Sequence, residues 1–547
     1  MSLNLVSPGV KVREVDLTIG RVDAINEQVG AFSGPFEKGP VNTPILIETE
    51  QDLLSTFGKP KKKDRQYEYW MSASSYLSYG GVMKVVRAGN SNLNNANAGV
   101  NAANVTVKIE NYENYVNDHQ SATDWHFAAK DPGKWSDNLK VCQIDAFADQ
   151  IITGAGATAG MVGYGITQGL VGRDNPGIGV TGQFTDGYLR GVVTGVDTTK
   201  DEIYVKISEQ VSAGGTATRV AYDQGGVNNF LTPTSSSTTT TTTTVTGVGT
   251  YQGHVDTAFD ITITGISTAN VTLGLGVTGT NVAAGTTVVA IGTSEVTVDR
   301  AITVGAGTTQ IFTFNSTTTS TTTTSSYTNP IWFVGTTGSP VGSAGSITSA
   351  SMTDWYDQQT LGLTNTTLYW KSIAPAPGTS QYANERSGAN DEVHVVVVDD
   401  NGDVTGTAGN IVEKHLNLSK GSDVKISPSE NVYYKDYIAT KSSYIYVGSA
   451  GTVFGSGTTG VAGGNTYTAN TGGWGSTAQS KIFSVSGNKT YTLTGGKDYS
   501  GGMNDGYDIG LGGVITGYKK FAQEADYSFN FLIMGPSGGT EGESKAK

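Results

Sequence analysis

Two uninterrupted hydroxyl tracts do most to limit what this chain can fold into. Ser235–Thr244 runs serine then threonine without a break, and Ser316–Ser326 is built the same way. Neither tract carries apolar area to offset the entropy of ordering it, so each is expected to be a flexible linker. Between them the sequence alternates strongly, as in Ile261-Thr262-Ile263, Val271-Thr272-Leu273, Val288-Val289-Ala290-Ile291 and Val296-Thr297-Val298. Short alternating runs parted by Gly, Asn and Thr turns predict a small β-sandwich over 245–315. Such an insertion is tolerated in a surface loop, because lengthening a loop costs little entropy.

The flanks have a different texture. Pro44–Glu48 reads as a strand, and Thr49-x-x-Asp52 as a capping box opening a short helix that buries Leu53, Leu54 and Phe57 before Gly58. Asp64 is placed to cap a second helix carrying Tyr67, Trp70, Ala73 and Leu77 at helical spacing. Gly80-Gly81 stops it, and Val82–Arg87 is the next strand. Strand, helices, strand implies a crossover connection in a sheet. Residues 99–230 alternate with glycine-rich turns and predict a β-rich region. After residue 350 the α/β pattern returns. His394 lies in Val393–Val398, a continuous apolar run typical of a strand buried on both faces. Asn401-Gly402 signals a hairpin. Ile411–Leu418, Tyr433–Thr440 and Tyr518–Glu524 read as short helices, Tyr444–Val447 and Ser528–Met534 as strands.

The expected architecture is an α+β multidomain chain with a discontinuous α/β core. An extended arm (1–22) precedes the first part of the core (23–98), a β-rich outer domain (99–234), the inserted module (245–315) and the second part of the core (345–547). In the arm, Ser7-Pro8-Gly9 is a turn signal, after which Val10, Val12 and Val15 alternate with Lys11, Arg13 and Glu14. A terminal strand without a neighbouring hairpin partner frays or pairs with another chain. These six residues are therefore the candidate inter-subunit strand.

Composition excludes several function classes. The net charge is −13 and the pI about 4.9, which opposes binding to phosphate backbones. Cys142 is the single cysteine, so no intrachain disulfide forms, in keeping with assembly in a reducing cytoplasm. Its place in an apparent strand, Leu139–Ile144, predicts a buried, inert thiol. The first fifteen residues lack the cationic and apolar regions of a signal peptide, and no apolar run approaches a membrane span of about 20 residues.

Chemical motifs are sparse. Gly455-x-Gly457-x-x-Gly460 matches the dinucleotide fingerprint in letters, but Val461–Asn465 after it does not read as a helix, so a loop is expected. His119, His126, His254, His394 and His415 show no metal-ligand spacing, and His394 reads as a packed core residue. Asp399–Asp403 lacks calcium-loop spacing and reads as a turn. Lys59–Lys63 reads as a solvated basic loop, with contact to an acidic neighbour as the sharper alternative. No nucleophile–base pairing, P-loop or zincin motif is present. No catalytic, cofactor or metal site is expected.

Ordered blocks across both flanks carry a resemblance. They are Ser7–Glu14, Val29–Pro40, Phe57-Gly58, Tyr76–Gly81 leading to Val85-Val86-Arg87, and Ala129–Asn138. Pro375–Ser380, Asn390–Asp399, Tyr433–Asp436, Leu493-x-Gly495-Gly496 and the ending through Ile533 continue the series. In this order the chain resembles tail sheath proteins of contractile-tailed bacteriophages, over about 1–145 and 350–535. The resemblance implies a structural subunit of the virion tail, assembled in the host cytoplasm as a metastable helical array of rings around the inner tail tube. Its implied partners are further copies of itself, the tube protein, and baseplate and tail terminator proteins, with no direct nucleic-acid contact and no membrane insertion. Contraction would drive the tube through the host envelope for genome ejection. Family members continue into a further C-terminal domain beyond the point where this chain stops, so a C-terminal continuation is expected. A β-rich adhesin or surface decoration protein is the alternative.

Overall fold

The structure is a computed structural model that describes residues 28–100, 105–169, 188–212, 216–220, 235–257, 259–303, 307–327, 331–334, 346–347, 351–448, 459–462, 465–468, 472–500, 506–522 and 527–536. It divides into two compact units, 1–232 with 331–547, and 233–330. The first unit is mixed α and β with several sheets.

Its chain opens with β1 (Val29–Gly34), β2 (Pro44–Ile47), α1 (Glu50–Phe57), α2 (Gln66–Ser78) and β3 (Val82–Arg87). The capping box is present: the Thr49 side chain accepts from Asp52 N–H, and the Asp52 carboxylate accepts from Thr49 N–H. Asp64 does not cap α2. It stands at φ +52°, and its carboxylate accepts from Tyr507 N–H instead. The crossover also falls elsewhere. β2 pairs antiparallel with β3, because two successive helices return the chain to the end of the sheet it left. β3 pairs parallel with β1 instead.

β4 (Trp125–Ala129) and β5 (Leu139–Asp145) follow, then β6 (Gln150–Thr153), β7 (Gly165–Gly169), β8 (Tyr188–Asp197) and β9 (Glu202–Val211). The last four pair antiparallel in the order β7-β8-β9-β6, with Ile152, Val193, Ile203 and Val205 buried on one side.

The second unit contains β10 (Ser235–His254), β11 (Asp260–Thr264), β12 (Gly276–Gly279), β13 (Val288–Ile291), β14 (Glu295–Ile302) and β15 (Thr309–Tyr327). The hydroxyl tracts are not linkers. They form one antiparallel ladder from Ser235↔Tyr327 to Gly247↔Asn315, which continues past a bulge at Gly247/Gly249 into the body of the unit. A lone tract has nothing to bury, but two facing runs of β-branched threonine satisfy each other's backbone and suit the pleat. The body is one sheet, β12-β15-β10-β11-β14-β13, in place of the two stacked sheets expected. It curls shut: Val277 N–H donates to Thr286 O and Val288 N–H to Leu275 O, joining the first strand to the last. Ile263, Val277, Val296, Val298, Phe312 and Phe314 fill the interior.

The chain re-enters the first unit through β16 (Ile331–Val334), on β7, and β17 (Ser351–Asp354), on β6. β18 (Glu392–Asp399) and β19 (Asn410–Ser419) then pair as a hairpin, and β18 also pairs with β5. The expected helix over Ile411–Leu418 is thus a strand. Two bulges shift the register of β19, and Asn417 sits at φ +53°, so apolar and polar residues fall out of simple alternation. α3 (Tyr434–Lys441), β20 (Ile445–Val447, on β4) and β21 (Lys489–Thr492, on β5) complete this region. α4 (Gly510–Lys519) starts earlier than the helix expected at Tyr518–Glu524, and β22 (Phe531–Ile533) pairs parallel with β1.

Candidate assembly interface

The four-stranded sheet β2-β3-β1-β22 is assembled from both flanks of the chain. Its edge strand β22 is held by the register Gly30↔Phe531 to Phe32↔Ile533 and by Tyr518 of α4, whose hydroxyl donates to Ile533 O at 2.8 Å. Gly30 leaves room for this approach: a Cβ there would lie 2.7 Å from Ile533 Cδ1 and 2.9 Å from the Tyr76 ring, so both would have to shift. The outer edge of β22 has no strand partner among the described residues, and Phe531, Leu532 and Met534 are about half exposed. Its outward backbone groups, flanked by uncharged and half-exposed apolar side chains, are open to an added strand. The candidate strand itself, Val10–Val15, lies outside the described residues.

Arg87 ties together the loops beside the sheet. It is fully buried, and all its hydrogen bonds go to neutral oxygens. Nε donates to Phe36 O and to the Tyr499 hydroxyl at 3.0 Å each; Nη1 donates to Gly39 O at 2.9 Å; Nη2 donates to Glu37 O at 3.1 Å and Pro132 O at 2.8 Å. Asp131 lies alongside, its carboxylate accepting from Gly39 N–H at 3.0 Å. Burial raises the Asp131 carboxyl, and Arg87 opposes that rise. The blocks Val29–Pro40, Val85–Arg87 and Ala129–Asn138, far apart in sequence, thus meet at one guanidinium.

A cleft of about 690 Å³ lies where β5 passes into β6, lined by Asp149, Lys206, Asp354, Trp355, Pro375–Thr379 and Asn390 among others. Its buried charges are already satisfied. Lys206 Nζ is 2.6 Å from Asp149 Oδ1, and Ile207 N–H donates to Asp149 Oδ2 at 2.7 Å. Behind it, Lys420 Nζ is 2.9 Å from Asp145 Oδ2, both fully buried, and Ser486 and Gly487 N–H groups donate to the same carboxylate. Burial lowers the Lys420 ammonium against the pull of Asp145. Carboxylates engaged in this way tie loops together and offer no spare base.

The remaining candidates resolve as follows. Cys142 is buried in β5, with Sγ 3.1 Å from Leu361 O, and burial pushes its thiol up to about 12. His394 is fully buried between Pro375 O and Asn417 N–H. The basic loop meets an acidic neighbour within the chain: Lys61 Nζ lies 2.6 Å from Glu37 Oε1, and Lys59 N–H donates to Glu37 Oε2. Asp399 closes its turn by accepting from Gly402, Val404 and Thr405 N–H groups. Gly455 and Gly457 lie outside the described residues, and Gly460 is in a strand, Thr459–Ala462. Among the described residues no group of three His, Cys, Asp or Glu side chains is placed to hold a metal, and no helix is long and apolar enough to cross a membrane.

No family model matches the chain. It is similar over part of its length to two curated proteins. One is the tail sheath protein of Enterobacteria phage T4, 35% identical over 88 residues, which are 16% of this chain and 13% of that protein. The other is the tail sheath protein of Vibrio phage KVP40, 33% identical over 87 residues, 16% of this chain and 12% of that one. The chain therefore matches only about an eighth of the length of these relatives.

Proposed function

We propose that this chain is a structural subunit of a contractile phage tail sheath and does no catalysis. The observation that carries this reading is the partial likeness to two tail sheath proteins. In this reading, segments 23–98 and 345–547 form the body that polymerises, 99–234 is an outer β-rich domain, and 245–315 is an accessory module. Copies stack as a helical array of rings around an inner tube, between a baseplate and a tail terminator, in the virion tail. They form in the host cytoplasm and contact neither nucleic acid nor the membrane interior directly.

The mechanism needs a contact that survives movement. A heterologous interface that does not close builds a helix. Val10–Val15 of one copy adds to a sheet edge of the next, and the open edge of β22 supports that choice. Backbone pairing then keeps neighbours linked while compact bodies rotate. A difference of about 1–3 kcal/mol per subunit, multiplied along the tail, supplies the stroke. The energy is stored at assembly behind a kinetic barrier, so no nucleotide is consumed.

Deleting residues 1–15 is expected to abolish striated tubes in negative-stain electron microscopy of concentrated protein, while the intact chain forms them. Normal tubes from the deletion would overturn the donated-strand mechanism. Isolated particles from the intact chain under all salt conditions would favour an adhesin or surface decoration protein.

A further inference from the structure

We propose that the hydroxyl ribbon of the second unit is a contact between copies of this chain, made by edge-to-edge strand pairing. The ribbon is the ladder of β10 against β15 from Ser235↔Tyr327 to Thr246↔Ser316, and no bulge interrupts it over that span. Here each strand has the other as its one partner among the described residues; β12 joins β15 only from Phe312 to Asn315, and β11 joins β10 only at His254. Two outward rows of backbone N–H and C=O groups thus face no strand among the described residues.

Proteins that stay single guard such edges with Lys, Pro, bulges or very short strands. This ribbon has none of those guards. No Asp, Glu, Lys or Arg stands between Asp223 and Asp256, nor between Arg300 and Asp354, and the prolines nearest the ribbon, Pro233 and Pro330, lie beyond its ends. Thr240, Thr241, Thr242 and Thr244, with Thr321 opposite, are exposed. Successive residues of a strand face opposite sides, so water reaches both faces and no apolar core closes this part of the ribbon.

Two properties select a second copy as the occupant. The chain carries a net charge of −13, so most contacts between copies meet repulsion, and this long uncharged stretch does not. An edge made of threonine and serine is also its own complement. Any copy presents small hydroxyl side chains, mostly threonine, at nearly every rung, so pairing is satisfied at any even offset. The contact is independent of the donated arm and does not require the chain to be a sheath protein.

Hydrogen–deuterium exchange of the full chain tests it at low and high protein concentration. Peptides covering 235–247 and 316–327 are expected to exchange at least ten-fold more slowly in the concentrated sample, reversibly on dilution. The same protection is expected in the chain lacking residues 1–15, which separates this contact from tube formation. The triple variant T240K/T242K/T321K, altered only at exposed positions, should lose it while peptide 295–302 stays protected. Equal exchange at both concentrations in the unaltered chain overturns the proposal whatever the variant does. Undiminished protection in the triple variant overturns it as well.

Discussion

His394 shows how a single buried residue can set a property of the whole chain. Its Nε2 lies 2.9 Å from Pro375 O and its Nδ1 accepts from Asn417 N–H at 3.0 Å, so the proton sits on Nε2 and the ring is neutral. A second proton would break the bond to Asn417. Burial accordingly holds the imidazole below its ordinary value of 6.5. The sign follows from linkage: the unfolded chain takes up this proton first, so stability is intact above about pH 6.5 and falls as pH drops toward the folded value. Thermal unfolding measured from pH 7 to pH 5 should show a falling midpoint, and H394Q should shallow that slope. His126, also depressed by burial, keeps the slope from vanishing. The sequence marked His394 as a core residue from its apolar neighbours. It could not give the partners, which stand on other segments. Arg87 was less legible still. It read as the last residue of a strand, yet its donors reach Pro132 and Tyr499, and no local pattern encodes contacts at such separations.

Local signals were reliable wherever they were self-contained. The Thr49–Asp52 capping box needs four residues and was formed as expected. Replacing Thr49 with Ala should cost about 1 kcal/mol, read as a lower denaturant midpoint at unchanged slope. Signals that depended on a partner failed in instructive ways. Asp64 has the chemistry of a cap, but Tyr507 N–H, brought in from the far end of the chain, claims its carboxylate. The bulges of β19 scrambled its alternation into something that reads as a helix. Each threonine tract taken alone reads as disordered; their order comes from facing one another across the intervening residues. The edge of β22 was visible as a strand, whereas its neighbour β1 was set by glycine at position 30 and a long-range return of the chain.

At the scale of the molecule, the inserted segment begins and ends on the same rung, Ser235 opposite Tyr327. Cα atoms so paired are about 5 Å apart. Removing 235–327 and bridging the gap with four Gly/Ser residues should leave the remaining unit folded, with its calorimetric midpoint within about 2 °C of the unaltered chain. A larger fall would show that the segment supports the rest. The closure of the inserted sheet was not readable from composition, because it rests on backbone bonds between β12 and β13.

The ladder of near-identical rungs has a consequence for descent as well as for folding. Within the tracts, a shift of two residues changes no side-chain type except where Ser replaces Thr, so alignment must be enforced from outside, by the kink at Gly247/Gly249 and the rings of Phe312 and Phe314. Equal gains or losses in the two tracts would lengthen or shorten the stem by about 3.3 Å per residue without disturbing the folded tip, making it a ruler that heredity can adjust in small steps.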